Sequence, residues 1–313
     1  MKNQVYGAKR VIFTFLLFSL FSAVIYFSYS TYRAFKKADE KRILLERRKA
    51  AWGNLRSALK NRIAVFRGQP SIIIKDLDMG WEINFNKDRL VPSASLVKIP
   101  IMLSCFYAAE EKKINLNSTL YLKASEKVEG SKVLGDKPAG SVFRLEELIE
   151  PMIIQSDNTA TNLLIGFLGF DTLNAYFKKM GLRNTNIVRK MIDFQERREG
   201  IENYTTAEDM AFLLEGLYRN DFLNKEISKQ CLFLLGQQKV NDRIPRKLPK
   251  DGIVIAHKTG LERHVCHDVG IVFTQKGNFL ICVLIKHENK LAKPAKRFIS
   301  DIALLTYNYY QSL

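Results

Sequence analysis

Residues 92–100 read Pro-Ser-Ala-Ser-Leu-Val-Lys-Ile-Pro, and within them Ser95 stands three positions before Lys98. If Ser95 begins a helix, Lys98 lies one turn along on the same face, so the hydroxyl and the amine can meet. A lysine serves as the base for a serine only when burial or a nearby positive charge lowers its pKa. Apolar residues around the pair provide that setting: Leu96, Val97, Ile99, Ile101, Met102 and Leu103.

Two further short motifs follow along the chain. Ser156-Asp157-Asn158 stands between two helix-like segments, where a second hydroxyl can pass on a proton and an amide can hold a substrate carbonyl. Lys258-Thr259-Gly260 is predicted to end a strand, where lysine and threonine bind a carboxylate and glycine lets a substrate backbone approach. Each motif alone also has a structural interpretation, as a buried helix, a helix cap or a strand end. The three together predict one shared active site.

The apolar pattern predicts two strands, a helical middle over about 95–219, three more strands and a final helix. The strand-like runs are Ser71–Asp76, Trp81–Phe85, Gly252–His257, Asp268–Thr274 and Asn278–Lys286, and the helix is Ala295–Tyr310. This order predicts an α/β fold of the α+β type. We expect an antiparallel five-stranded sheet flanked by terminal helices, with an all-helical lobe inserted between the early and late strands. A cleft between the two lobes is where a site would form.

The N-terminal part has its own character. Residues 11–32 are an uncharged run of 22 residues, long enough for a helix that spans a bilayer. We therefore predict a transmembrane anchor over 1–32, a basic helical stalk over 33–62 and a hydrolase domain over 63–313. The alternative is a cleavable signal peptide, whose apolar region is usually only roughly 7 to 15 residues long. Basic residues flank the run on both sides, so charge counting leaves its orientation open; we expect a single-pass protein of the cell membrane with its catalytic domain on the extracytoplasmic side.

The net charge of +17 is concentrated near the N-terminus. Residues 1–62 hold 14 Lys or Arg and 3 Asp or Glu, which is +11 of the total. Because no nucleic-acid-reading motif accompanies this stretch, it favours a segment beside anionic lipid headgroups over a nucleic-acid partner. The four cysteines lack regular spacing, which predicts buried free thiols: Cys105, Cys231, Cys266 and Cys282. The cluster 264–267 (His-Val-Cys-His) has no distant fourth ligand, so we expect neither a metal nor a cofactor.

With their surroundings, these motifs resemble the class A β-lactamase and penicillin-binding serine hydrolase family from about residue 64 to the C-terminus. The matching blocks are 92–100, 152–162, 205–210 and 257–260. The resemblance implies that Ser95 is the acylated nucleophile, that Lys98 is its base and that Ser156 relays the proton.

The same resemblance implies the substrate contacts. Asn158 would bind the substrate amide, and Lys258 and Thr259, followed by Gly260, would receive the substrate carboxylate. The backbone N–H groups of Ser95 and Leu261 would form the oxyanion hole.

One position departs from the family pattern. Class A β-lactamases carry a glutamate two positions after a loop arginine, where it activates the water that frees the acyl-enzyme. Here Arg189 is followed by Lys190 and Met191, and a thioether cannot act as that base. Three acids follow in the same loop and can substitute only if it rearranges, a solvated charged turn being the simpler interpretation: Asp193, Glu196 and Glu199.

The resemblance therefore implies a membrane-anchored enzyme that forms an acyl-enzyme with a small-molecule β-lactam or with the D-alanyl-D-alanine end of a peptidoglycan stem peptide. The methionine implies that β-lactam hydrolysis is slow. The alternative function is a non-catalytic, membrane-tethered sensor module that binds penicillin or cell wall.

Overall fold

The structure is a computed structural model that describes the backbone of residues 2–289 and 291–313 and, within these, all side chains except those of 2–13, 15 and 16. The chain divides into two compact units, Met1–Leu55 and Arg56–Leu313. The described α-helices are α1 (Lys2–Ala64), α2 (Lys98–Glu110), α3 (Leu145–Ile154), α4 (Asn158–Leu168), α5 (Phe170–Lys179), α6 (Phe194–Arg198), α7 (Ala207–Arg219), α8 (Lys225–Gly236) and α9 (Lys293–Gln311). The strands are β1 (Gln69–Asp76), β2 (Glu82–Phe85), β3 (Val91–Pro92), β4 (Thr119–Tyr121), β5 (Val142–Arg144), β6 (Tyr204–Thr205), β7 (Val254–Glu262), β8 (Val265–Phe273) and β9 (Phe279–Lys286).

The main sheet has five antiparallel strands in the order β2-β1-β9-β8-β7. The early strands thus join the late ones, as the sequence predicts, and helices α2 to α8 lie between them along the chain. Two short pairs, β3 with β6 and β4 with β5, accompany the helical part. The predicted α+β fold with a five-stranded antiparallel sheet is confirmed.

Strand β9 shows why this sheet forms a middle layer. Its residues alternate between the two faces, and nearly all are fully buried. Leu280, Cys282 and Leu284 belong to the core shared with the helical lobe. On the opposite face, Phe279 stacks on Tyr310 of α9 with ring centroids 5.0 Å apart. An uninterrupted apolar strand is the pattern expected when both faces of a sheet are covered.

Two of the late strands, β7 and β8, extend beyond their predicted bounds at the turn that joins them, whereas β9 matches its prediction within one residue. The predicted Gly252–His257 strand is β7, which runs to Glu262, so Lys258-Thr259-Gly260 lies inside the strand and not at its end as predicted. The reason is the tight β7–β8 turn, in which His264 takes a left-handed φ of 66° and lets pairing continue up to Glu262 and Val265.

The N-terminal unit consists of one continuous helical stretch, because α1 begins at Lys2 and continues past the unit boundary to Ala64. Among residues whose side chains are described, no helix is both long and apolar enough to cross a bilayer. The predicted span over 11–32 falls partly outside them, since the side chains of 11–13, 15 and 16 are not described.

Candidate active site

Ser95 lies in a short 3₁₀ helix, Ala94–Val97, that leads directly into α2 at Lys98. The sequence predicts a helix that starts at Ser95; the structure places Ser95 in this tighter turn instead. Leu96 and Val97 of this turn are fully buried, so packing fixes the position of its backbone. The Ser95 side chain is half-buried, and its hydroxyl makes no hydrogen bond to any residue that the structure describes.

The Lys98 amine is fully buried and surrounded by oxygen atoms of the next motif. Its Nζ lies 2.7 Å from the Ser156 carbonyl oxygen, 3.2 Å from Ser156 Oγ and 2.8 Å from Asn158 Oδ1. A neutral amine has two N–H donors and one lone pair. The carbonyl and amide oxygens can take both donors, which leaves the lone pair able to accept a proton.

The turn between α3 and α4 presents Ser156 and Asn158 to this lysine. Ser156 has a left-handed φ of 59°, an uncommon conformation for a residue other than glycine. Asp157 caps α4 by accepting the Ala160 N–H at 2.9 Å. Its second oxygen accepts the N–H groups of Val133 and Leu134, so Asp157 also fixes the 128–135 loop and is more than the helix cap that the sequence suggests.

The third motif enters from β7. The Lys258 amine is fully buried and donates to Ser156 Oγ at 3.0 Å, so one hydroxyl lies between the two lysine amines. A Cβ added to Gly260 would stand 3.3 Å from Leu96 Cγ, which places β7 directly against the turn that holds Ser95. The structure therefore brings together Lys98, Ser156, Asn158 and Lys258 through hydrogen bonds.

The other predicted site residues are close in sequence to these. Thr259 is buried next to Lys258 and its carbonyl oxygen accepts from the lysine amine at 3.2 Å. Leu261 lies in β7 opposite Cys266, with an exposed side chain. The chemical roles of these residues remain predictions.

Burial is the main electrostatic influence on both lysines. It lowers the pKa of Lys98 well below its usual value, and the neighbouring Lys258 lowers it further, against the opposing charges of Asp157 and Glu262. Burial also lowers the pKa of Lys258 to about 7, with Arg243 adding to the effect and Asp268 opposing it. At neutral pH the site can therefore hold an uncharged Lys98 beside a Lys258 that is only partly charged.

A polar network that no sequence motif indicates involves His257, the neighbour of Lys258 in β7. His257 Nδ1 lies 2.9 Å from Asp268 Oδ1, and its Nε2 lies 3.1 Å from Asn241 Oδ1. The other Asp268 oxygen accepts the N–H of Ile244 at 3.0 Å. His257 is part of a quoted family block, but nothing in the spacing indicates that its partner lies on the neighbouring strand.

In the cluster 264–267, the side chains of Cys266 and His267 form hydrogen bonds to other parts of the domain. Cys266 Sγ accepts from Arg243 Nε at 3.3 Å, and His267 Nδ1 accepts the Ile285 N–H while its Nε2 faces the Pro92 carbonyl at 2.9 Å. Burial lowers the pKa of His267 to about 4, so the ring stays neutral. All four cysteines are free and buried, as predicted. In the described part of the chain, no three His, Cys, Asp or Glu side chains converge where a metal ion could bind.

The segment that we name the 189–203 loop carries Met191. Met191 is buried, and its backbone exchanges two hydrogen bonds with the Asn162 side chain, at 2.7 and 3.0 Å. Asn203, also buried, closes the loop by binding the N–H groups of Val188 and Arg189 and the Arg189 carbonyl. The loop backbone is thus fixed by two asparagine side chains, and the buried side chain in this part of the loop is the thioether of Met191.

The charged residues of the loop form a closed ring with the end of β7. Arg189 binds Glu202 at 2.5 Å and Glu262 at 3.3 Å, and Arg197 binds the same two glutamates at 3.1 Å each. Three of the four side chains are more than nine-tenths buried, and Arg197 is 24% exposed. No motif or spacing in the sequence indicates this ring, because Glu262 lies 73 positions from Arg189.

The three remaining acids of the loop, Asp193, Glu196 and Glu199, make no hydrogen bond to Lys98 or Ser156 within the described residues. The Asp193 carboxylate caps α6 by accepting the Glu196 N–H, and Glu199 accepts from Gln195. The Glu196 side chain is partly exposed. The simpler interpretation of these residues as a solvated charged turn agrees with this geometry.

Comparisons with known proteins agree with the geometry. The family described as the β-lactamase enzyme family matches residues 54–310. β-Lactamase VEB-1 of Pseudomonas aeruginosa is 23% identical over 274 residues, which cover 82% of this chain and 90% of that protein. The crystal structure of a β-lactamase from Sphaerobacter thermophilus has 30% identity and a TM-score of 0.75, covering 84% of this chain and 98% of that one.

A second type of relative is a penicillin-binding protein. The structure of PBP-A has 27% identity and a TM-score of 0.76, with 83% of this chain and 97% of that chain covered. A point mutant of PBP-A is described as an acyl-enzyme complex with penicillin G, at 26% identity and the same TM-score of 0.76. Because the family match covers most of the chain, this protein belongs to the β-lactamase enzyme family and is an enzyme of the serine-hydrolase type.

Proposed function

We propose that the protein forms a covalent acyl-enzyme on Ser95 with β-lactams and with peptides that end in D-alanyl-D-alanine, and that it releases β-lactam products slowly. The observation that carries this proposal is the single hydroxyl of Ser156 between two buried lysine amines, at 3.2 and 3.0 Å, beside the turn of Ser95. A relative that forms an acyl-enzyme complex with penicillin G supports the substrate class.

Acylation would proceed through the groups described above. Neutral Lys98 takes the proton of the Ser95 hydroxyl as its oxygen attacks the carbonyl carbon of the scissile amide. Ser156 donates its proton to the leaving nitrogen and is reprotonated by Lys98, so the proton passes from Ser95 to the leaving group. Asn158 holds the substrate amide, and Lys258 with Thr259 binds the substrate carboxylate.

Deacylation lacks an equivalent base. The acids that act electrostatically on Lys98 are Asp157 and Glu262. Asp157 accepts three backbone N–H groups, and Glu262 is bound by two arginines. Since Met191 cannot accept a proton, no loop residue activates a water, and a β-lactam stays attached as an acyl-enzyme. A peptide acyl group can still leave by transfer to water or an amine with Lys98 as the base, because its own leaving amine has departed and frees that position. The nitrogen of an opened β-lactam stays attached to the acyl group and keeps water from that position.

The decisive experiment uses the full chain in detergent with a fluorescent penicillin. We expect stoichiometric labelling of Ser95, measured by intact mass and peptide mapping, and no labelling of Ser95→Ala. Labelling that survives in Ser95→Ala excludes Ser95 as the nucleophile. Absence of both labelling and D-alanine release favours the non-catalytic binding module.

The same proposal includes attachment to the cell membrane by residues 1–32, with the catalytic domain on the extracytoplasmic side. The uncharged run 11–32 supports it, as do exposed apolar side chains of α1 such as Phe18, Phe21 and Phe27. We expect the full chain to remain with membranes after a high-salt wash and its domain to be cleaved by protease added outside spheroplasts. Recovery of a soluble protein that starts after about residue 32 would instead establish a cleaved signal.

A further inference from the structure

A cavity of about 640 Å³ lies beside α4, away from the two lysine amines, and we name it the α4 pocket. Its walls come from strand β4 and the residues after it, from α4 and from the start of the 189–203 loop. The residues that matter here are Tyr121, Lys123, Glu126, Asn162, Gly166 and Lys190. The acylation chemistry above leaves this pocket without a role.

The helix geometry connects the α4 pocket to the active site. Asn158 is the first residue of α4, and Asn162 and Gly166 follow at intervals of four, so all three lie on one face of the helix. With a rise of about 1.5 Å per residue, Asn162 lies about 6 Å and Gly166 about 12 Å along the helix axis from Asn158. An extended peptide advances about 3.4 Å per residue. A substrate held at Asn158 therefore reaches the pocket two to four residues from its scissile bond.

The α4 pocket has free space next to Gly166. A Cβ built on Gly166 meets no atom within 4 Å. Asn162, in contrast, is only 7% exposed and is fixed by its two hydrogen bonds to Met191. The side of the α4 pocket next to the active site is therefore rigid. The space is consequently a preformed cavity with one rigid side.

Two lysines give the α4 pocket a positive charge. Within the described residues, neither the Lys123 amine nor the Lys190 amine takes part in a hydrogen bond or an ion pair. Glu126 also lines the pocket, but one of its oxygens accepts the Lys123 backbone N–H at 2.9 Å. Some surface lysines are paired with an acid, as Lys179 is with Glu111, whereas these two amines remain able to bind a ligand. Two unpaired ammonium groups at one cavity are suited to a carboxylate ligand.

We propose that the α4 pocket binds a carboxylate on the acyl-donor side of the peptide substrate, two to four residues before the scissile bond. This inference rests on the proposed function, because it assigns a substrate class to the same active site: anionic peptides that end in D-alanyl-D-alanine. A short β-lactam side chain does not extend that far, so β-lactam acylation proceeds without the pocket.

The test compares two series of acetylated peptides that end in D-alanyl-D-alanine. One series carries Glu and the other Gln at the second, third or fourth residue before the scissile bond. For each peptide, the full chain in detergent is assayed for D-alanine release and for the peptide concentration that halves the rate of penicillin labelling. We expect the best Glu peptide to act at about tenfold lower concentration than its Gln partner, the effect of one charge-assisted contact.

Variants locate the effect. Gly166→Trp fills the cavity and should abolish the Glu preference, whereas Gly166→Ala adds one methyl group and should keep most of it. Both changes replace a helical glycine, so both favour α4 and neither is expected to unfold it. The double variant Lys123→Gln, Lys190→Gln should also lose the preference, and Lys229→Gln, an exposed position on α8, should retain it.

Expressing each result as the ratio of Gln to Glu concentrations cancels any general loss of activity. Equal action of Glu and Gln peptides on the wild type, absence of protection by any peptide, or a preference that survives Gly166→Trp would each overturn the inference. Failure of penicillin to label Ser95 would instead overturn the proposed function, so the two failures are distinguishable.

Discussion

The turn of Ser95 and Lys98 and the 189–203 loop are direct neighbours, since Ser93 N–H donates to the Asn203 carbonyl at 2.7 Å, yet they use charge in opposite ways. At the turn, a lysine is buried without an acid bound to it, and burial lowers its pKa. In the loop, every charge of the four-residue ring is neutralised by a partner.

The difference in charge neutralisation indicates different roles for the two regions. An unneutralised buried amine is costly for folding, and such groups are typical of residues that move protons. A neutralised ion ring is suited to holding a loop in place and unsuited to proton transfer, because its carboxylates are already occupied. Under the proposed function, the acylation groups serve chemistry and the loop serves architecture, and the following changes test that division.

The largest expected effect comes from Lys98→Met, which keeps the length of the side chain and removes the base. We expect acylation of Ser95 by penicillin to slow by roughly 10⁴-fold or more, as when one member of a catalytic unit is removed. Thermal unfolding should show a stable fold, because an apolar side chain suits a fully buried position. An acylation rate within about tenfold of the wild type would contradict the role of Lys98.

The second largest expected effect is faster deacylation after a substitution in the 189–203 loop. Met191→Glu supplies a carboxylate at the position where the family resemblance expects the deacylating base, and general bases contribute about 10² to 10⁴-fold. We expect deacylation of a chromogenic cephalosporin to accelerate within this range while acylation changes little. Met191→Gln is the matched control, since its amide has similar size and no basic oxygen. Equal acceleration by Glu and Gln would show that the change acts through loop packing.

The pH dependence of the free enzyme tests the second lysine. Lys258 has a pKa of about 7, so it is charged below that pH and loses the charge above it. For a β-lactam carboxylate, kcat/KM for acylation should fall about tenfold per pH unit above about 7. Lys258→Arg keeps its charge, so the fall near pH 7 should disappear even if the rate is lower at every pH. If kcat/KM still falls above pH 7 in this variant, the group that titrates is not Lys258.

The smallest expected effect concerns loop architecture alone. Asn203→Ala leaves the N–H groups of Val188 and Arg189 and the Arg189 carbonyl without their side-chain partner. We expect the free energy of unfolding to decrease by about 1 to 3 kcal/mol, measured by urea denaturation. Asn203→Asp keeps the acceptor for both N–H groups and should lose less. If the Asp variant loses more stability than the Ala variant, the hydrogen bond that the Asn203 amide donates to the Arg189 carbonyl is the larger contribution.

The sheet and the site motifs could be predicted because their signals are local. Apolar runs such as β9 mark strands directly, and Ser95 with Lys98 lies within a single turn. The turn residue His264, by contrast, lengthens β7 through a left-handed conformation that no apolar pattern indicates.

The supporting groups could not be predicted, because each depends on contacts between distant positions. His257 meets Asp268 only through the pairing of β7 with β8, and Glu262 meets Arg189 only after the loop folds against the strand. Asp157 appears in sequence as a helix cap, and its second oxygen finds partners 23 and 24 positions away. Spacing along the chain holds no information on such pairs.

Fast acylation of Ser95 with slow deacylation is tested most directly by the time course of chromogenic cephalosporin cleavage. The full chain in detergent is used, with substrate in large excess over enzyme. We expect a rapid burst of one product per Ser95 followed by a slow steady phase, with the acyl-enzyme visible by intact mass. Sustained turnover at the burst rate, without an accumulating acyl-enzyme, would contradict this expectation.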